Sequence, residues 1–232
     1  MKKLSFTLVL IFLFISCENR DYGTTNKEWY EGKLPKWINK EYNFRDCGGW
    51  SIDNHTKVKT GKIYRGKGSI PISILKPLGI KASLSLTSIK YKDGCDALDT
   101  VLYLGNYNLN SVKKKTDEAI QFIIYNLQRD NPVIIHCDIG RDRTCKFVAA
   151  LLRTLGVSSK DVNTDYHWYC NNPNDREGDM YEDCEDVLMY FQQYEYQLKQ
   201  LLLIQNRSAL DSATTSDMLS VLDDKATENI NV

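Results

Sequence analysis

Charge of one sign is what this 232-residue chain lacks: 30 Lys and Arg stand against 30 Asp and Glu. A nucleic-acid partner demands a strong basic bias, so the balance argues against that class. Glycine and proline are few, at 13 and 5, which excludes a collagenous or linker-dominated chain. Histidine is scarcer still, at 3, and neither His55 nor His167 has partners at metal-ligand spacing. No metal site and no cofactor is therefore expected. Only one long apolar run exists, Leu4–Ile15, and it falls short of the roughly 20 residues that a membrane span requires. What is left is a chain long enough for one medium globular domain with a sizeable core, or at most two small ones.

That apolar run follows Met1-Lys2-Lys3 and precedes Ser16-Cys17, the order of a secretory signal peptide, expected over residues 1–16. A small residue ahead of a cysteine resembles the lipidation site of bacterial lipoproteins, although Phe14 stands where that pattern prefers Leu. Cys17 is the expected acyl acceptor, with simple secretion as the alternative. Two acyl chains would hold the protein stably on a membrane, whereas one would be marginal. Residues 17–33 read as a tether to that lipid, 34–205 as the folded domain, and 206–232, poor in large apolar residues, as a disordered tail. The implied location is outside the cytoplasm, on the periplasmic or cell-surface side of a bacterial membrane.

Within the domain, apolar runs alternate with helical periodicity. Ile63–Arg65, Ala82–Leu86, Val101–Leu104 and Val133–His136 read as strands, the last unbroken enough to be a central strand covered on both faces. Ile120, Ile123, Ile124 and Leu127 fall on one face of a helix expected over Val112–Gln128, with Asn110 or Ser111 as its cap. Thr144–Leu155 reads as a helix stopped by Gly156, and Ser158 through Asp161 as a capping box that opens the next. From Met180 to Gln205 neither Gly nor Pro intervenes, which predicts one long C-terminal helix. Strands alternating with helices predict an α/β domain, a mostly parallel central sheet flanked by helices.

Between the central strand and its helix lies His136-Cys137, five residues ending at Asp142, and then Arg143-Thr144. A loop entering a helix N-terminus turns successive backbone N–H groups inward as an anion nest, and the helix dipole adds partial positive charge. A cysteine at the base of such a nest ionises readily and becomes a nucleophile. Arg143 suits bidentate recognition of phosphate oxygens. Gly140 permits the positive φ that the loop needs, and Thr144 can donate its hydroxyl to a departing thiolate. The expected phosphate-binding residues are Asp138, Ile139, Gly140, Arg141, Asp142 and Arg143. The expected chemistry is phosphoryl transfer to Cys137 followed by hydrolysis.

This segment resembles the phosphate loop of cysteine-dependent protein-tyrosine and dual-specificity phosphatases. Asn43-Phe44-Arg45-Asp46-Cys47-Gly48-Gly49-Trp50 and Gly61-Lys62-Ile63-Tyr64-Arg65 are similar to the opening of the bacterial tyrosine phosphatases typified by a secreted mycobacterial enzyme. Gly156 through Tyr166 is similar to that group's segment after the catalytic helix, so the resemblance runs from about Tyr42 to Asn171. It implies the dual-specificity-like fold, a cysteinyl-phosphate intermediate, and a phosphorylated protein or small phosphomonoester as substrate. It departs at Ser85-Leu86-Thr87, where the group has Asp-Leu-Arg, at Cys145 in place of Gly, and at Cys47 in place of Leu.

The leaving oxygen needs a proton, normally from an aspartic acid. The resemblance favours Asp142, and Asp93, Asp96 and Asp99 are the alternatives. Asn43, Arg45 and Asp46 are expected to brace the loop, His136 to hydrogen-bond behind Cys137, and Asp138 to face solvent. Cys170–Cys184 is the favoured disulfide, and Cys47 is considered as a reversible trap for Cys137. Tyr166-His167-Trp168-Tyr169 either lines an aryl pocket or joins the core. Three functions follow in order: a protein-tyrosine or dual-specificity phosphatase, a phosphoinositide or inositol-phosphate phosphatase, and a non-catalytic phosphate-binding lipoprotein.

Overall fold

The structure is a computed structural model that describes residues 41–105, 112–167 and 187–205, side chains of residues 112, 113 and 167 aside. The signal segment, Cys17, the tether, the tail, the proposed helix caps at Asn110 and Ser111, and both members of the Cys170–Cys184 pair lie outside them.

Strands β1 (Arg45–Asp46), β2 (Thr56–Val58), β3 (Ile63–Lys67), β4 (Ala82–Ser85), β5 (Thr100–Tyr103), β6 (Val133–Cys137) and β7 (Leu203–Gln205) form two sheets. The larger has the order β1-β3-β6-β4-β5, parallel throughout except for β1 against β3. β6 takes the centre because Val133-Ile134-Ile135 presents branched apolar side chains to both faces, and all five of its residues are buried. Its register brings Lys67 of β3 level with Cys137, and Ser85 of β4 level with His136. The carboxyl ends of three strands thus meet where the loop after Cys137 begins, the edge at which open parallel sheets place their sites.

The helices are α1 (Ile72–Leu75), α2 (Val112–Leu127), α3 (Asp142–Leu155), α4 (Ser159–His167) and α5 (Glu195–Leu202), with residues 187–192 also helical. One core joins α2, α3 and α5 to the sheet through Ile120, Ile123, Phe147, Leu151, Phe191 and Leu198. Phe147 and Phe191 meet edge to face at 5.0 Å. A smaller core on the opposite face holds Phe44, Tyr64, Ile70, Leu75 and Leu98. Each such side chain contributes roughly 1.5–3 kcal/mol on burial. α3 ends as expected: Gly156 adopts φ 97°, its N–H donates to the Arg153 carbonyl, and that of Val157 to Leu152. The capping box also forms, with Ser158 Oγ donating to Asp161 Oδ2 at 2.7 Å and accepting from Asp161 N–H at 3.2 Å.

The single long C-terminal helix is a correction. A turn at residues 193–194 separates the helical stretch 187–192 from α5, and Leu203–Gln205 leaves the helix to pair with β2 as an antiparallel strand. β2 offers an open row of backbone groups, and Lys59 Nζ donates to the Leu201 carbonyl at 2.9 Å, ending the helix there. The apolar stripe reports burial, which both conformations satisfy, and so misses the change.

Candidate active site

Cys137 is the last residue of β6, Asp142 the first of α3, and Asp138–Arg141 turn between them. Gly140 has φ 71°, and a Cβ there would lie 2.4 Å from the Gly66 carbonyl carbon. The loop backbone therefore presses directly on β3, and glycine is required for both reasons.

Beneath this contact lies a buried layer of charge. The Gly140 carbonyl accepts from Asn43 Nδ2 at 2.7 Å and from Arg65 Nη2 at 3.2 Å. Arg45 Nη1 donates to Asn43 Oδ1 at 2.6 Å, while Arg45 Nε and Arg65 Nη1 converge on the Asp165 carboxylate at 3.0 and 2.8 Å. All of these groups are buried. Burial alone would lower the Arg65 pKa, but Cys145, Asp165 and Cys47 outweigh it and hold it raised. Arg65 Nη2 also donates to Cys145 Sγ, and the thiol donates onward to the Tyr166 carbonyl at 3.7 Å. Burial pushes the Cys145 thiol up against the pull of Arg65 and Arg45. The cysteine that replaces glycine thus links α3 to the end of α4.

Asn43 bonds the loop directly and Arg45 reaches it through Asn43. Asp46 does a different job: its carboxylate accepts from the Gly48 and Gly61 N–H groups at 2.7 and 2.5 Å, fastening the turns beside β1.

Above the loop the charges are half-exposed. Arg143 Nη1 donates to the Leu86 carbonyl and Nη2 to Asp138 Oδ2, both at 2.8 Å. These bonds hold two of the five N–H donors a guanidinium has. Asp138 Oδ1 accepts from Thr87 Oγ1 at 2.6 Å and from Tyr91 OH at 3.1 Å. The expectation that Asp138 simply faces solvent is corrected, because three donors tie it into the site. Tyr91 is pushed up to about 12 by burial and by Asp138.

Behind Cys137, His136 Nε2 shares a 2.9 Å hydrogen bond with Ser83 Oγ. Burial lowers His136 to about 4, so it is neutral, and its 3.9 Å approach to Asp96 is no ion pair at neutral pH. The Thr144 hydroxyl is buried at the start of α3 and meets no hydrogen-bond partner among the described residues. Asp142 is exposed at the same helix end, 3.2 Å from Arg141 Nε. Of the alternative acids, Asp96 is buried and accepts from the Tyr91 N–H, which removes it from solvent. Asp99 immediately precedes β5, at the sheet edge opposite the loop. Asp93 is exposed, and its carbonyl accepts from Ile72 N–H at 3.2 Å.

The strand register corrects the idea that Cys47 traps Cys137. Cys47 N–H donates to Ile63, which is level with Val133, whereas Cys137 is level with Lys67. Four residues of strand are about 13 Å, well past the ~7 Å Cα limit of a disulfide. Sequence reasoning also missed Asp165 and Tyr91, and marked Thr87 only as a departure from the resembled group. Arg65 carried a signal, since a charged residue inside an apolar strand needs a buried partner.

Residues 90–183 match the model of a tyrosine phosphatase family. None of the curated proteins matches the chain. Several solved structures are similar to it. P. aeruginosa TpbA is 18% identical over 62% of this chain and 88% of its own, with a TM-score of 0.37. The human tyrosine phosphatase-like serine/threonine/tyrosine-interacting protein is 19% identical over 61% and 95%, with a TM-score of 0.40. The core catalytic domain of the S. cerevisiae PP-IP phosphatase SIW14 is 19% identical over 64% and 91%, with a TM-score of 0.44.

Proposed function

We propose that the chain is a phosphomonoester hydrolase that works through a cysteinyl-phosphate, a protein-tyrosine or dual-specificity phosphatase in type. The observation that carries this reading is the joining of Cys137 to Arg143 across a loop backed by Gly140 against β3. The tyrosine phosphatase family match over residues 90–183 supports it.

In the first step Cys137 Sγ attacks phosphorus, the S–P bond forms, and the P–O bond to the leaving group breaks. Asp142 gives that oxygen its proton. N–H groups of the loop and first helical turn, which have no acceptor within the helix, face the equatorial oxygens. Arg143 spans two of those oxygens with its remaining donors. In the second step water attacks phosphorus and passes a proton to Asp142, and the S–P bond breaks to release phosphate and thiolate. The buried Thr144 hydroxyl, without a hydrogen-bond partner among the described residues, supports its role as donor to that departing sulfur.

Cys137→Ser is expected to reduce turnover of an aryl phosphate to below about a thousandth of wild type. Acid-quenched wild type should carry a phosphate on Cys137 by mass spectrometry. Undiminished turnover in the variant would overturn the assignment, and phosphate binding without turnover in wild type would favour a binding module. We further propose, from the sequence of residues 1–17, that the protein is exported and anchored through acylated Cys17. Cys17→Ser should then move the protein from the membrane to the soluble fraction.

A further inference from the structure

The loop carries two arginines, a composition that would suit a substrate with several anionic groups. The structure engages both within the loop: Arg143 Nη2 lies 2.8 Å from Asp138, and Arg141 Nε 3.2 Å from Asp142. The pairs are unlike. Arg141 and Asp142 are about half exposed, so solvent screens them and leaves their geometry loose. Asp138 has two further donors from outside the loop, Thr87 and Tyr91. Tyr91 is itself fixed, edge-on to His136 at 6.1 Å and with its N–H donating to Asp96. Burial opposes ionisation of Asp138, but Thr87, Tyr91 and Arg143 hold its carboxyl below the usual carboxylate range. A fixed negative charge, one-third open to solvent, thus stands on the residue after Cys137.

We infer that Asp138 is a specificity-determining residue: it selects phosphomonoesters with neutral or cationic surroundings and disfavours a second anionic group beside the scissile phosphate. This rests on the hydrolase reading above. The scissile phosphate escapes the penalty because it faces backbone N–H groups, the helix dipole and the remaining Arg143 donors. A second anion placed beside the cradle on the Thr87 and Tyr91 side meets the Asp138 carboxylate, a like charge in a partly desolvated setting. A lysine or arginine flanking the phosphorylated residue would instead be attracted. Thr87 stands where the resembled phosphatases carry an arginine. A hydroxyl there orients the carboxylate without cancelling its charge.

The test compares kcat/KM for two phosphotyrosine peptides that differ only in having alanine or glutamate on both sides of the phosphotyrosine. A further substrate is an inositol phosphate with adjacent phosphates. Wild type should prefer the alanine-flanked peptide. Asp138→Asn should narrow that preference about tenfold and raise relative turnover of the inositol phosphate, whatever it costs in absolute rate. In wild type alone, raising salt should narrow the same ratio, which keeps the test available if the variant fails to fold. An unchanged ratio in Asp138→Asn, a salt-independent ratio, or a wild-type preference for acidic flanks would overturn the inference. Activity surviving in Cys137→Ser would instead overturn the hydrolase reading beneath it, so the two failures are distinguishable.

Discussion

The two sides of the loop between Cys137 and Arg143 hold charge in opposite ways. Below it, Arg45, Arg65 and Asp165 are almost fully withdrawn from water, and their bonds end on Asn43 and the Gly140 carbonyl. Above it, Arg143 and Asp138 are 28% and 33% exposed. Removing one partner of a buried ion cluster leaves an uncompensated charge, whereas a solvated pair loses little when broken. The lower layer therefore fixes where the loop is, and the upper layer is the part that solvent and a ligand can reach. Similar residue types serve both ends because water reaches only one of them.

The sharpest way to break this comparison is Asp165→Ala. It strands two buried guanidiniums and should cost about 3–5 kcal/mol in denaturant unfolding; a loss under ~1 kcal/mol would place the layer in water. Next comes acid. His136 titrates near 4 when folded and near about 6.5 when unfolded, so below 6.5 the unfolded chain takes up a proton that the folded one refuses. Its contribution is complete above about pH 6.5 and is lost as pH falls towards 4, by up to about 3 kcal/mol. His136→Gln should flatten this limb of the stability–pH curve, and an unaltered limb would refute the assignment. Gly140→Ala forces a side chain into the β3 backbone, and initial rates should fall about a hundredfold while the fold persists by circular dichroism. The smallest effect belongs to the rim. Tyr91→Phe removes one hydrogen bond to Asp138 and should alter KM for an aryl phosphate by about fivefold, near 1 kcal/mol, with melting temperature almost unchanged.

The strands and helices that carry the site were legible because their signals are local. The β-branched run at Val133–Ile135 led to the central strand, and Gly156 to the end of α3. The loop itself was equally plain, since Cys137, Gly140, Arg143 and Thr144 occupy one contiguous segment. What stayed hidden is long-range. Asp165 lies 120 residues from Arg45, and Thr87 lies 51 from Asp138; nothing in their neighbourhoods announces the partner. Asp138 was misjudged for the same reason, because a carboxylate in a turn looks solvated until its donors are known. The strand at Leu203–Gln205 exists only because β2 offers an unpaired edge, which no helical stripe can report.

The approach of Gly140 to Gly66 constrains how this chain can diverge. A methyl on either glycine strikes its surroundings, at 2.4 Å from Gly66 for Gly140 and at 2.6 Å from Ile70 for Gly66. The two are unequal: at Gly140 the obstacle is backbone and φ is positive, whereas at Gly66 the nearest atom is the movable end of Ile70. Descent with modification can therefore redecorate the rim one residue at a time, while Gly140, beneath the loop, resists any single-step replacement.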